Sequence, residues 1–446
     1  MKLTMDAPQA ASPRSRGEDR GDGASPGAEP HGAFPSSDRL RSALPADHAP
    51  QVKPGERKGP PLLPLLMAMT AIGPTTLNIL VPALPALATR LAADTGTVQL
   101  TLSLYLLSLA GAQLVLGPLS DRFGRRPVVL AGLTINVLAS IAAIAAGSIY
   151  ALIAARILQA IGASSGIVIG RAIIRDRYER DRAAAMIGLV TTAMVIAPMI
   201  APFIGGVLDT AFGWEAIFVF IALASGAVLL WALLALPETK AATTSQTAGR
   251  LWQEWRELLT HAKFHGYVLC AALGSAAFFL FLGGGPHVVV TQMGRSSAEY
   301  GVWFAITSIG YMAGNFAASR FSQRLGVDLM IMIGLVFQLA GSVFIAVLVA
   351  TMWQAGPAII FLPQTVISFG SGLLLPNAIA GAVSVRPQAA GTASGLTGFA
   401  QMALGAGLTQ IVSGALVSAG TAMPMAWMML AGVLATGAAY VGLVRR

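Results

Sequence analysis

Ionisable side chains are the natural carriers of chemistry, and beyond residue 61 they are sparse. The acids there are Asp94, Asp121, Asp176, Glu179, Asp181, Asp209, Glu215, Glu238, Glu254, Glu257, Glu299 and Asp328. They show no spacing that pairs two carboxylates for acid–base work, and the five histidines show none that would hold a metal. Cys270 stands alone, and no Gly-rich phosphate loop follows a strand-like run. These observations point away from an enzyme and predict neither metal nor cofactor. Without an ATP-binding motif, primary active transport is also excluded. What remains is a dense Gly/Asp/Arg cluster at 117–127, a Pro/Gly run at 197–206, and isolated polar residues inside apolar stretches.

Those isolated residues dictate what must surround them. Of 446 residues, 55% are hydrophobic and 11% are charged, against roughly 25% charged in an average soluble domain. A soluble chain of this length could not coat its surface with so few charges. From residue 62 onward, apolar stretches of about 20 residues, the length that spans a bilayer, alternate with short polar breaks. We place them at 62–88, 97–119, 127–147, 149–174, 181–208, 214–236, 266–288, 298–319, 329–351, 355–384, 388–418 and 421–444. The fold class is all-α and polytopic, with twelve transmembrane helices in two pseudo-symmetric six-helix bundles.

The expected divisions are a tail at 1–61, a first bundle at 62–236, a linker at 237–265 and a second bundle at 266–446. The tail holds ten prolines and mixed charges with no apolar period, a composition that stays disordered. Within the linker, Leu251, Trp252, Trp255, Leu258 and Leu259 share one helical face. Such a helix either lies on the membrane surface or packs against the bundle.

Loop charges set the orientation. With the N-terminus inside, sixteen of the twenty cations after residue 61 fall on the cytoplasmic side, among them Arg122, Arg125, Arg126, Arg175 and Arg386. Only Arg90 and Arg295 fall in loops on the other side, a decisive split under the positive-inside rule. Both termini are then cytoplasmic, in the cell inner membrane. The excess of positive charge belongs to these loops rather than to a basic face for nucleic acid.

The cluster Gly117-Pro118-Leu119-Ser120-Asp121-Arg122-Phe123-Gly124-Arg125-Arg126-Pro127 has the parts of a latch. Its glycines permit a tight turn between antiparallel helices, and Asp121 can accept from a helix N-terminus. Arg122, Arg125 and Arg126 can grip helix-end carbonyls or a carboxylate such as Glu238. In the fifth helix, Pro198 and Pro202 free backbone carbonyls, while Gly205 and Gly206 allow close packing. Arg156 lies about 9 Å into the fourth helix at 1.5 Å per residue. A guanidinium at that depth marks a functional site unless it snorkels to the interface. Gly162, Gly166 and Gly170 repeat every four residues on that helix, a pattern for close helix packing.

The 117–127 cluster closely resembles the loop signature of the major facilitator superfamily, in the same place between second and third helices. Other segments resemble the drug:proton antiporters of that superfamily, and among them the Bcr/CflA-type exporters. These are Val81-Pro82-Ala83-Leu84-Pro85, Arg156-Ile157-Leu158-Gln159-Ala160-Ile161-Gly162, the Pro198–Gly206 run, Leu236-Pro237-Glu238-Thr239, Leu375-Pro376-Asn377-Ala378 and Gly391-Thr392-Ala393-Ser394-Gly395. The resemblance covers 62–444 in order. It implies the major facilitator fold, a cytoplasmic gate at the 117–127 cluster, and a flexible seam between the halves at the fifth helix.

One departure stands out. Such antiporters usually carry a carboxylate in helix one, a few residues before Pro-Ala-Leu-Pro, and here the matching residue is Asn78. An amide cannot bind and release a proton near neutral pH. Coupling would then use Asp94, Asp209 or His287; otherwise the protein exchanges or facilitates without protons, or Arg156 attracts an anionic group.

For substrate and coupling, the candidates are Asn78, Tyr105, Gln113, Arg156, Gln159, Asn315 and Asn377, with Tyr311, Gln364 and Gln401 as further inward-facing polar groups. Each could instead serve as an interhelical hydrogen-bonding residue. The sequence thus predicts a monomeric secondary transporter in the lipid bilayer. It exports small amphipathic compounds by alternating access, in exchange for protons. Its alternatives are a metabolite exporter or uncoupled facilitator and, in another class, a sensor or scaffold that transports nothing.

Overall fold

A computed structural model describes residues 62–178, 180–239, 256–386 and 389–445. The tail at 1–61 and the start of the expected linker helix, residues 251–255, lie outside the described residues. Every regular element among the described residues is helical. The first half contains α1 (Leu62–Asn78), a 3-10 turn (Val81–Ala83), α2 (Leu84–Arg90), α3 (Thr95–Phe123), α4 (Arg125–Ile144), α5 (Ile149–Arg177), α6 (Arg180–Phe212) and α7 (Glu215–Ala235). The second contains α8 (Ala262–Gly274), α9 (Ala276–Pro286), α10 (Ser297–Leu325), α11 (Val327–Thr351), α12 (Ala358–Val385), α13 (Ala390–Ala419) and α14 (Met423–Ala439).

Among the described residues, eleven helical runs are apolar and long enough to cross a bilayer. The twelfth crossing is α10, whose 29 residues match α3 in length. Its lower apolarity comes from Tyr300, Trp303, Thr307, Ser308, Tyr311 and Asn315, several of which face the interior described below.

Two crossings are broken where the sequence predicts continuity. The first stops at Asn78 because Pro82 has no N–H to return to the Asn78 carbonyl, and a 3-10 turn bridges to α2. The seventh is interrupted at Ser275, whose N–H is shared between Ala271 O and Ala272 O at 3.2 and 3.3 Å. The Gly274-Ser275 pair at this point is a composition that favours a kink, although the apolar run through it reads as one continuous helix.

Helix starts are capped by local side chains: Asp94 accepts from Thr97 N, Ser148 from Ala151 N and Ser296 from Glu299 N. The pseudo-symmetry shows in the backbone. The α3–α4 turn passes through Gly124 at φ +100°, ψ 153°, and the α10–α11 turn through Gly326 at φ +81°, ψ 158°. That region of conformational space is open essentially to glycine alone.

Within the first half, α5 packs on α1, α3 and α4. Its small residues permit this: a Cβ on Gly162 would lie 2.7 Å from Asn136 N, and one on Gly166 would strike the Met69 carbonyl. The two halves meet along two seams, α3 against α13 and α6 against α10. At the end opposite Gly124, Ser297 Oγ donates to Pro82 O (3.0 Å), Ala298 N to Thr210 Oγ1 (3.2 Å) and Gln410 Nε2 to Gly96 O (2.9 Å). The fifth-crossing motif lies on this seam. Gly205 meets the Ile79 carbonyl, Gly206 meets Ser297, and Gly301 of α10 meets the Pro202 carbonyl.

A Cβ on Gly206 would lie 2.8 Å from the Ser297 carbonyl carbon and 3.0 Å from Ala298 Cα, and backbone there cannot yield like a side-chain tip. Gly206→Leu is therefore expected to pry this end open. In a Cys270→Ser, Ser297→Cys background, maleimide labelling of position 297 should rise several-fold on adding Gly206→Leu. Unchanged labelling would contradict the close approach.

Candidate functional site

Between the halves lies a cavity of about 290 Å³, near the lower end of those that hold drug-sized molecules, roughly 300 Å³. The first half contributes Pro74, Leu77 and Asn78 of α1, Leu106 and Leu109 of α3, and Met194, Pro198 and Met199 of α6. The second half supplies an aromatic wall of Phe278, Phe279, Phe281 and Phe304, with Tyr311 farther along α10. Polar groups are few: Ser275, Thr307 and Ser308, then Gln364, Ser368 and Ser371 of α12, and Gln401 of α13. The two broken crossings both reach this space, through Asn78 and Ser275. The aromatic rings form a rigid block, with Phe281 centred 5.3 Å from Phe361, which in turn stacks on Trp303 at 5.7 Å.

Of the seven substrate and coupling candidates, Asn78 is the one the described lining contains. Its Nδ2 donates to Pro74 O at 2.8 Å, and its Oδ1 is buried with no partner in the protein. Gln113 is half-buried and points its amide at Met402 Sδ (3.7 Å), a lining atom from the other half. Asn315 and Asn377 turn their amides back one helical turn, to Tyr311 O at 2.9 Å and Leu373 O at 2.8 Å. Gln364 and Gln401 both line the cavity.

Tyr105, Arg156 and Gln159 gather instead in a buried cluster behind α1. Arg156 is fully buried and does not snorkel. Its Nη1 donates to Thr76 O (2.9 Å) and Gln159 Oε1 (3.1 Å), and its Nε reaches Thr101 O at 3.4 Å. The guanidinium carbon lies 4.2 Å from the Tyr105 ring centre, and the Tyr105 hydroxyl donates to Gly73 O at 3.0 Å. A desolvated cation–π contact of this kind contributes about 2 kcal/mol. Gln159 passes the network outward through Ser140 Oγ (2.8 Å), and Asn136 ties it to Ser225 of α7 (2.7 Å). Arg156 thus pins α5 to α1 and α3, and it takes up a carbonyl, Thr76 O, just before the first crossing breaks.

The sequence singles out Arg156 but not its partners. Thr76, Thr101, Asn136, Ser140 and Ser225 are small polar residues whose role appears only once helices are packed. The walls of the cavity, Met194, Met199 and the phenylalanines, read in sequence as ordinary apolar positions.

The latch parts come together at the Gly124 end. Glu238 accepts from Arg125 N (3.0 Å) and Arg126 N (3.1 Å), capping the start of α4. The Arg125 side chain reaches Asp121 Oδ1 and Ser120 Oγ, both at 2.6 Å, and Asp176 Oδ2 at 2.9 Å. Arg126 donates to Leu233 O at 2.9 Å, and Arg122 stacks over the Phe123 ring at 5.3 Å. Gly117 lies on α3 facing Val168 of α5. The cluster ties the ends of α3, α4, α5 and α7 into one block. A Cβ at Gly124 would lie 2.7 Å from Glu238 Oε2, so the turn is tightly closed.

The three alternative coupling groups lie away from the cavity. Asp94 caps α3 at the opposite end, where the Thr97 hydroxyl and N–H hold its carboxyl below the ordinary carboxylate range. It therefore stays ionised at neutral pH. Asp209 lies beside Ser297 on the seam. His287 lines a separate pocket of about 130 Å³ with Gln99, Pro85 and Thr291. Among the described residues no group of His, Cys, Asp and Glu could hold a metal.

Comparison with known proteins agrees with this architecture. The Major Facilitator Superfamily model matches residues 66–409. Multidrug resistance protein D of Escherichia coli (strain K12) is 31% identical over 384 residues, covering 84% of this chain and 92% of that protein. A chloramphenicol resistance protein of Pseudomonas aeruginosa is 30% identical, covering 73% and 75%. A bicyclomycin resistance protein homolog of Haemophilus influenzae is 27% identical, covering 85% and 94%. Among solved structures, a D-xylose–proton symporter superposes with a TM-score of 0.69 at 14% identity, covering 85% of this chain and 96% of its own. A bacterial homolog of the human lysosomal transporter Spinster gives 0.62 at 15% identity, covering 86% and 94%. At such identities the shared feature is the fold. The relatives fit the Bcr/CflA-type exporters that the motifs resemble, and with a family match spanning most of its length the chain belongs to the Major Facilitator Superfamily.

Proposed function

We propose that this protein is a secondary transporter of the cell inner membrane that exports small amphipathic compounds, including antibiotics, by alternating access in exchange for protons. The observation that carries this reading is the cavity itself. It is walled by both halves, apolar over most of its surface, and edged by a few neutral polar groups. Relatives named for resistance to several drugs, to chloramphenicol and to bicyclomycin support the substrate class.

In this proposal the Gly124 end faces the cytoplasm, with both termini, because the basic loops gather there. The segment 237–265 connects the halves, with 62–236 before it and 266–446 after. The Pro82–Ser297 and Thr210–Ala298 contacts then form the outer gate, and the Glu238–Arg125–Asp121 block stiffens the inner end of the first half. Pro198, Pro202, Gly205 and Gly206 let the seam bend and close. Arg156 keeps the broken first crossing in register with α5 during the motion. One chain provides the whole cavity, so the unit of transport is a monomer.

One observation favours a second reading, uncoupled facilitation. Among the described residues the lining contains no carboxylate and no histidine, so a proton and a solute would not compete for one group there.

Transport in proteoliposomes separates the two. Chloramphenicol flux should rise several-fold when the pH gradient drives protons opposite to the drug, and should collapse with a protonophore. Flux indifferent to the gradient would establish facilitation and overturn the antiport reading.

A second test concerns Arg156. A lysine keeps the charge but cannot serve several acceptors and stack on Tyr105 at once. Arg156→Lys should leave a monodisperse protein with flux reduced by about tenfold or more, the equivalent of about 1.4 kcal/mol. Wild-type flux would show that the guanidinium network has no part in transport.

A further inference from the structure

Donors in the cavity wall are largely turned away from the open space. Ser275 Oγ donates to Ala272 O at 2.7 Å, Ser308 Oγ to Phe304 O at 2.9 Å and Ser371 Oγ to Ile367 O at 3.0 Å. The amides behave alike: Asn78 Nδ2 is held by Pro74 O at 2.8 Å and Gln401 Nε2 by Ala271 O at 3.3 Å. With the hydroxyl protons committed and one N–H of each amide held, these groups retain oxygens that accept. Two oxygens, Asn78 Oδ1 on α1 and Gln364 Oε1 on α12, are buried in the wall and have no partner in the protein. They belong to opposite halves.

Charge narrows the occupant further. Among the described residues, no Asp, Glu, Lys, Arg or His lines the cavity. Behind the α1 wall, Arg156 donates to Thr76 O, two residues from Asn78, and its other contacts, Thr101, Gln159 and the Tyr105 ring, bring no carboxylate. A cation entering this space would lose its water with no counter-charge and would face an uncompensated positive field. An anion would find only neutral donors, most of them already committed. An uncharged solute carrying O–H or N–H groups meets neither penalty. It can donate to the unpartnered oxygens, and its ring can pack on Phe278, Phe279 and Phe304.

We propose that the cavity selects uncharged aromatic solutes bearing hydrogen-bond donors and rejects cations, with Asn78 and Gln364 as the specificity-determining acceptors on the two halves. This rests on the cavity being the transport site. Asn78, at the position where related antiporters usually carry an acid, is what makes the cavity neutral.

The test is binding and flux with the full-length protein and three probes. Chloramphenicol is uncharged with two hydroxyl donors and an amide N–H; its 1,3-diacetate is uncharged and keeps the amide N–H as its one donor; tetraphenylphosphonium is an aromatic cation without donors. Chloramphenicol should bind at least about tenfold more tightly than either of the others. Asn78→Leu should weaken chloramphenicol by about tenfold and the diacetate, which has fewer donors to lose, by less. Asn78→Asp should confer tetraphenylphosphonium binding at about pH 8 that fades toward about pH 5 as the new carboxyl protonates. Wild-type binding of tetraphenylphosphonium as tight as that of chloramphenicol overturns the proposal, and so does diacetate binding equal to chloramphenicol. The wild-type comparisons decide the matter even if a variant folds poorly. Should wild-type protein transport tetraphenylphosphonium and ignore chloramphenicol, the selectivity fails while the exporter reading stands. If it binds and moves none of the three, both fall.

Discussion

Inside a bilayer, a polar group without a partner costs several kcal/mol because no water is present to serve it. This constraint explains why donors throughout the protein are turned onto the chain's own carbonyls. Thr70, Thr75, Ser371, Asn377 and Thr436 each donate one turn back along their helices. Arg156 is the extreme case: its charge is held by carbonyls of α1 and α3, a glutamine and an aromatic face rather than by an acid. The rule has exceptions: Arg156 Nη2, Tyr300 OH and Gln338 Oε1 are buried without a partner away from the cavity, and Asn78 Oδ1 and Gln364 Oε1 are two that belong to its wall.

The same constraint connects the fold to movement. A helix can break inside the membrane only where its freed groups are taken up by neighbours or face a cavity. Both broken crossings do this, the first with Thr76 O held by Arg156 and the seventh at Ser275 beside the cavity. Both breaks therefore lie beside the cavity, while Gly206 and Gly301 bring the α6–α10 seam into backbone contact. The Glu238–Arg125–Asp121–Asp176 block, by contrast, ties together the Gly124 ends of the first-half helices. One half can move as a body while the seams at α6–α10 and α3–α13 change.

Much of the architecture is legible in the sequence because a bilayer of fixed thickness imposes a length on each apolar run. The loop glycines Gly124 and Gly326, too, declare their turns by type and position. The site is only partly legible. A polar residue in an apolar run signals a partner but not which one, so Asn78, Asn315 and Asn377 look equivalent until packing shows which of them faces the cavity. Tyr105 and Gln159 prove to be partners of a buried arginine instead of lining residues. The phenylalanine wall carries no local signal, since it arises from how distant helices pack, and the break at Ser275 is marked only by the Gly274-Ser275 pair.

The account stands or falls on where an uncharged solute sits and what it donates to. The most direct measurement is a cryo-electron microscopy structure of the full-length protein with bound chloramphenicol. The account predicts density between α1, α10 and α12, its ring against the phenylalanine wall, and hydroxyl or amide donors within about 3 Å of the Asn78 and Gln364 oxygens. Density in the outer pocket beside His287, or in the cavity with its donors turned to other groups, would contradict it.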